Sequence, residues 1–293
     1  METKVTPEQL KALLPSICER ETSQDSNNWS PENPLWGHCA VVSLVAQNLF
    51  GGELLRGSLT EVPGFEHMRS HYWNQLADGS IEDFTKPQFR ERYPSGLKAE
   101  PRDRSYVISY PETVKRYKLL VFRLAKALSN HNPIFEDVIY QKCFYAALDS
   151  PCQKMKFGCV LTRNGKEVCV SNNHFIEPLK SLCEPKCIRL SLASRTESML
   201  GACGHAEEFV MWEAVRQGVP LNECSLYIAG IYPNGLPWLK KEAADHTCLR
   251  CSVQMYYAGL QTIFVPFVDR WVGLSKEQSI SGSLAYAIKE KKV

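Results

Sequence analysis

GHAEEFVMWEAV (residues 204–215) reads as an amphipathic helix with a histidine and a glutamate two positions apart at its entrance. On a regular helix, positions i and i+2 do not share a face. His205 and Glu207 can therefore act on one object only end-on, at the helix mouth. A second stretch, ADHTCLRC (244–251), sets Cys248 and Cys251 at i and i+3 at the start of the next helix, so their sulfurs converge. One imidazole and two thiols make a three-donor set, and catalytic zinc sites keep three protein ligands with a fourth corner open. Helix entrances also favour thiolates through the dipole and the free N–H groups. The reading is that His205, Cys248 and Cys251 hold Zn2+, and that Glu207 is not a ligand but faces what the ion binds. The plainer alternative is an acidic first turn and an unrelated cysteine pair.

The surroundings fit an α/β domain. A helix over 135–149 precedes FGCVLT and EVCVSNN, two alternating runs joined by Asn164-Gly165, which predict a tight hairpin. CSLYIAGIY (224–232) predicts a strand, CLRCSVQMYYAGL a helix, TIFVPF a strand and 275–290 a final helix. Helices alternating with strands imply layered α/β packing.

On FGCVLTRNGKEVCVSNN, GHAEEF and TCLRCSVQMYYAGLQTIFV, residues 134–293 resemble the cytidine deaminase-like superfamily. The histidine ligand is closer to its deoxycytidylate and tRNA-type branches than to the all-cysteine nucleoside branch. The resemblance implies a three-layer α/β/α fold with a central mixed sheet. It also implies Zn2+ and hydrolytic removal of an amino group from a cytosine-type nucleoside or nucleotide, with release of ammonia. Glu207 would take a proton from water and pass it to a ring nitrogen and then to the leaving amine. Asn173 matches the hairpin-end asparagine that commonly contacts the sugar in that family, and as a residue it reads equally well as a turn former. Thr247 stands where the family usually has proline.

The segment between hairpin and helix, NNHFIEPLKSLCEPKCIRLSLASRTESMLGAC, carries His174, Cys183, Cys187 and Cys203. CxxxC lies within structural zinc spacings, and some deoxycytidylate-type relatives have a second metal here. Buried free cysteines acting as small hydrophobes are the other reading. The same segment holds Arg189 and Arg195, and an arginine beside the pocket, Arg195 above all, could pair with a substrate phosphate.

The N-terminal half has its own constellation. PENPLWGHCAVVSLVAQNLFGGELLRG places Cys39 at the start of an apolar helix, and SHYWNQLADGSIEDFT places His71 and Asp83 on two strands flanking Asp78-Gly79. Cysteine at a helix entrance with His and Asp on strands is the layout of papain-like and transglutaminase-like thiol sites. With a two-residue turn, however, His71 and Asp83 fall on opposite faces, and only an odd-length loop or a bulge unites them. A buried cysteine beside a structural His–Asp pair is the competing reading. WSPENPLWGHCAVVSLVAQNLFGGELLRG, HYWNQLADGSIEDFTKPQF and RSYVISYPETVKRYKLL resemble the YunG-like bacterial family, which implies no established activity.

Length and composition bound these readings. The 293 residues suggest two domains, with the boundary at HNP (131–133) giving 1–132, an α+β papain/transglutaminase-like domain, and 133–293. With 34 basic against 32 acidic residues, net charge +2 favours a small nucleoside or nucleotide substrate over nucleic acid, although single-stranded DNA or tRNA stays open. There is no apolar run of about 18 residues for a membrane. Twelve cysteines with no secretion signal fit a reducing cytoplasm. Superfamily members often form oligomers, so a homo-oligomer is compatible. The competing assignments are a thiol hydrolase or transferase in the N-terminal half with the zinc domain as nucleotide sensor, or a non-catalytic nucleotide-binding module.

Overall fold

The computed structural model describes residues 5–192, 203–239 and 247–289. The chain divides into two compact units, Met1–Asn130 and His131–Val293. Among the described residues, no helix is long and apolar enough to cross a membrane.

The first unit is α+β. Helix α1 (Pro7–Ile17) begins at a capping box in which Thr6 and Gln9 satisfy each other's backbone N–H. Helix α2 (Cys39–Phe50) buries Val41, Val42, Leu44, Val45 and Ala46 and stops at Gly51. Strands β1 (Glu53–Ser58), β2 (Ser70–Gln75), β3 (Ile81–Glu82) and β4 (Glu100–Arg102) make an antiparallel sheet in the order β3-β2-β1-β4. Helices α3 (Arg104–Ile108) and α4 (Pro111–Leu128) follow, and α2 packs against both β2 and α4.

The β2–β3 hairpin decides what this unit can do. Asn74 pairs with Glu82 and Gln75 with Ile81, and the Leu76 N–H donates to the Ser80 carbonyl at 2.8 Å. The turn therefore spans three residues, 77–79, ending on Gly79 at φ +87°. A two-residue turn on Asp78-Gly79, the sequence expectation that parts His71 from Asp83, would set Asn74 against Asp83 instead. The observed register differs by one position, which exchanges the faces of every following side chain. Asp83 then stands on the face of His71.

The second unit has a mixed sheet. Its elements are α5 (Val138–Asp149), β5 (Lys156–Arg163), β6 (Lys166–Asn172), β7 (His174–Phe175), β8 (Cys203–Gly204), α6 (Ala206–Arg216) and β9 (Cys224–Ile231). After these come β10 (Pro237–Trp238), α7 (Leu249–Ala258), β11 (Thr262–Phe267), β12 (Arg270–Leu274) and α8 (Lys276–Lys289). The strand order is β12-β11-β9-β5-β6, with β10 added to β9 and the short β7–β8 pair separate. β9 and β11 run parallel and the other pairs antiparallel. β12, on the sheet edge, was not anticipated from sequence.

The β5–β6 turn is the tight one that Asn164-Gly165 predicts, with φ of 52° and 73° at the two residues. Along β5 the side chains alternate. Cys159 and Leu161 enter a core with Val210 and Met211 of α6 and Met255 of α7. Gly158 faces α5, so closely that a Cβ there would lie 2.0 Å from the Cys143 carbonyl oxygen. Helices thus cover both faces of the strand, and α7 is the crossover joining the parallel strands β9 and β11. Its entrance lies by the C-terminal ends of those strands, the edge where open α/β sheets bind ligands.

Candidate metal and proton-transfer site

Two helix entrances meet at this sheet edge. His205 is the N-cap of α6 and Cys248 the N-cap of α7, where its sulfur accepts from the Cys251 N–H at 3.5 Å. His205 Nδ1 lies 3.2 Å from Cys251 Sγ and 3.3 Å from Cys248 Sγ. Among the described residues, these are the one set of three His, Cys, Asp or Glu donors gathered within 4.8 Å of one another. A single nitrogen and two sulfurs closing on one point suit zinc, and the fit is sharpened by burial, since Cys251 has no exposed surface.

Hydrogen bonding from Cys251, and then from His205, holds the Cys248 thiol well below its ordinary range, despite burial. Burial works against a charged His205, yet its bond to Cys248 and the charges of Cys248, Glu207 and Glu208 hold it up at about 9. One sulfur of the pair is thus ready to serve as an anionic donor.

Glu207 occupies the first turn of α6 and is 4% exposed. Burial first, and the charge of Cys248 second, push its carboxyl up to about 7, with His205 opposing. It shares a cavity of about 480 Å³ with His205 and Cys248. Phe157, Ile228, Trp238 and Val265 give that cavity apolar walls, and Lys154 and Arg189 add positive charge.

Glu208 was not singled out from sequence, and it organises the centre. It has no exposed surface; one oxygen accepts from the His205 N–H at 2.8 Å. The other accepts from Arg250 Nε and Gln254 Nε2, both at 2.7 Å. One carboxylate therefore caps α6 and grips α7 at Arg250, between the two cysteines, and at Gln254, just past them. The legible signal was the spacing of an N-cap and an acid three residues on, a capping box. Thr247 is also explained: its hydroxyl joins a buried cluster with Ser252 at 2.7 Å and Ser279 at 3.3 Å, and Ser283 donates to its carbonyl at 2.8 Å. The entrance of α7 is fixed to α8 by hydroxyls rather than by a proline ring.

Asn173 lies in the cavity wall, but its amide is engaged by the protein. Oδ1 accepts from Phe157 N at 2.7 Å and from Ser150 Oγ at 2.8 Å, while Nδ2 donates to the Met155 carbonyl at 2.9 Å. It shapes the 150–157 loop that forms one side of the pocket. Arg195 lies outside the described residues.

The four residues considered for a second metal do not come together as one group. His174 turns its Nδ1 to the Asn172 carbonyl at 3.0 Å and stacks on Phe209 with ring centroids 3.4 Å apart. The thiols that meet are Cys183 and Cys203, at 3.3 Å, with Cys187 bonded to Cys183 and Cys152 bonded to Cys203. The bond from Cys203 pulls the Cys152 thiol down to about 5 against its burial. Cys152, distant in sequence, meets these thiols where His174 does not.

Comparison with known proteins divides the chain in the same way. Residues 6–129 match the family described as YunG protein, and residues 135–266 match the cytidine and deoxycytidylate deaminase zinc-binding region. One match falls in each of the two compact units. "Uncharacterized protein YunG" of Bacillus subtilis (strain 168) is 31% identical over 83 residues, covering 28% of this chain and 63% of that protein. A crystal structure of cytidine deaminase from Burkholderia pseudomallei is similar over 47% of this chain and 90% of that chain, at 16% identity and a TM-score of 0.31.

Proposed function

We propose that the second unit is a zinc-dependent hydrolytic deaminase acting on a cytosine-type base in a nucleoside or nucleotide, with cytidine and deoxycytidylate as the leading substrates. One observation carries the reading: a buried carboxyl, Glu207, lines the same cavity as His205 and Cys248, two members of the three-donor cluster that Cys251 completes. His205, Cys248 and Cys251 would hold the zinc, which would supply Lewis acidity at the cavity. Glu207 serves as the proton carrier: it takes one proton of the attacking water and delivers it to the ring nitrogen, then takes the second from the hydroxyl now on the ring carbon and gives it to the amino group, which leaves as ammonia as the C–N bond breaks. Being buried, it exchanges those protons with the substrate rather than with solvent. Glu208 and Arg250 act as positioning residues, holding the two helix entrances in register.

The cavity supports a small substrate. Its volume falls within the range usual for small-molecule pockets, its apolar walls suit a base, and Lys154 and Arg189 suit a phosphate. The deciding experiment incubates zinc-loaded protein with cytidine, deoxycytidine, their monophosphates, guanine and oligonucleotides and follows ammonia. Turnover of cytidine or deoxycytidylate is expected, with the monophosphates ahead of the nucleosides. No ammonia from any member of the panel would overturn the reading.

A further inference from the structure

The first unit contains a polar constellation that the deaminase chemistry does not use. Cys39 is the first residue of α2 and His71 sits in β2, which packs against that helix. His71 has no exposed surface, and its Nε2 lies 2.7 Å from Asp83 Oδ2. Asp83 is held in turn: Oδ1 accepts from Thr85 N at 3.0 Å and Oδ2 accepts from Tyr93 Oη at 3.1 Å. Nε2 is committed to Asp83, and Cys39, at the entrance of the helix that packs on β2, is the thiol that interacts with the imidazole. Gln88 Nε2 approaches Nδ1 at 3.5 Å, and Gln88 Oε1 accepts from the Gly37 N–H at 3.4 Å, so its carboxamide sits between the ring and the chain leading into α2. Phe89 packs edge-on against His71, with centroids 4.8 Å apart.

This order of groups, carboxylate to imidazole to thiol at a helix entrance, differs from a generic buried polar pair. Here a carboxylate holds one ring nitrogen and a thiol at a helix entrance interacts with the same imidazole, the set of groups an activated nucleophile needs. Gln88 and Phe89 also line a second cavity of about 510 Å³, whose other walls include Trp36, His67, Arg90 and Arg92. That cavity combines aromatic faces with two guanidinium groups.

We propose that Cys39, His71 and Asp83 form a second catalytic site, a thiol acyl hydrolase or transferase acting on amides or esters whose acyl chain bears an anionic group. Cys39 Sγ passes its proton to His71 and attacks the acyl carbon, forming an S–C bond. The C–N or C–O bond then breaks, and the His71 proton leaves with the amine or alcohol. Water, deprotonated by His71, cleaves the thioester and returns the proton to sulfur, so the net reaction is hydrolysis. Asp83 is a positioning residue that holds the ring. Arg90 and Arg92 receive the acyl chain's negative charge.

The test treats the zinc-loaded full chain with p-nitrophenyl acetate and with mono-p-nitrophenyl glutarate, following nitrophenolate and locating acylation by peptide mass spectrometry. An acyl adduct on Cys39 is expected, forming faster with glutarate than with acetate. His71→Ala should slow acylation of Cys39 by about 100-fold or more. Asp83→Asn, which keeps the shape of the side chain, should slow it less and displace its pH profile, and it serves as the readout if His71→Ala fails to fold. Folded protein with Cys39 unacylated, or acylated at a rate that neither substitution changes, would overturn the site. Equal rates for the two esters would overturn the anionic substrate class.

Discussion

Both candidate sites begin a helix with a cysteine and bring a histidine to it, and they part at the third partner. At α7 the third partner is another thiol, Cys251, 3.2 Å from the same ring nitrogen that Cys248 approaches. At α2 it is a carboxylate behind the ring, Asp83, 2.7 Å from the far nitrogen. Two sulfurs and one nitrogen converging on a point leave electron pairs that a cation satisfies. A carboxylate bonded to the imidazole instead holds a base in the company of a single thiol. The acid near the metal-type cluster, Glu207, stands in the cavity rather than against the imidazole ring. Similar residue types at similar helix entrances thus form different arrangements through one extra partner.

The sharpest way to break this comparison is Glu207→Ala. If the carboxyl carries protons and holds no metal, ammonia release should fall by about 100- to 10,000-fold while zinc content stays constant. Metal analysis of the purified variant separates the two effects. Glu208→Ala should act on the scaffold: it strips the cap of α6 and leaves Arg250 without its buried partner. A loss of about 2–3 kcal/mol in urea unfolding is expected, with Glu208→Gln costing less because it retains an acceptor.

The first unit offers a pH test. Burial alone would depress His71, but its bonds to Asp83 and Cys39 and their charges carry it up to about 9. The groups facing it are Cys39 from α2 and Asp83, which is itself bonded by Tyr93. A folded-state value above the unfolded one means stabilisation that is complete below about 6.5 and is lost as pH rises through about 9. Thermal unfolding of the full chain across this range should show that loss, and Asp83→Asn should flatten it. The smallest effect is expected from Thr247→Val, which removes one hydroxyl from the Ser252–Ser279–Ser283 cluster, about 1 kcal/mol by denaturant titration.

The zinc-type centre was legible because its information is local. Spacings of two and three residues at helix starts fix where His205, Glu207, Cys248 and Cys251 point, whatever the rest of the chain does. The hairpin at Asn164-Gly165 was legible for the same reason, since both residues tolerate positive φ. Register at Asp78-Gly79 was not: an Asp-Gly pair serves a two-residue turn or the end of a three-residue one, and that single step decides whether His71 meets Asp83. Cys152 was missed because its partner Cys203 is far away in sequence and no periodicity links them. The edge strand β12 follows a turn at Val268–Asp269 and is short and half-exposed, so it carries little apolar alternation.

The ligand set itself is the central claim, and cobalt substitution tests it most directly. The absorption spectrum of the cobalt-loaded full chain should carry the near-ultraviolet thiolate-to-metal bands and strong visible bands of a tetrahedral centre with two sulfurs. Those bands should weaken in Cys251→Ser and persist in Glu207→Gln. A spectrum unchanged by Cys251→Ser, or abolished by Glu207→Gln, would contradict the assignment of His205, Cys248 and Cys251 as the metal's protein ligands.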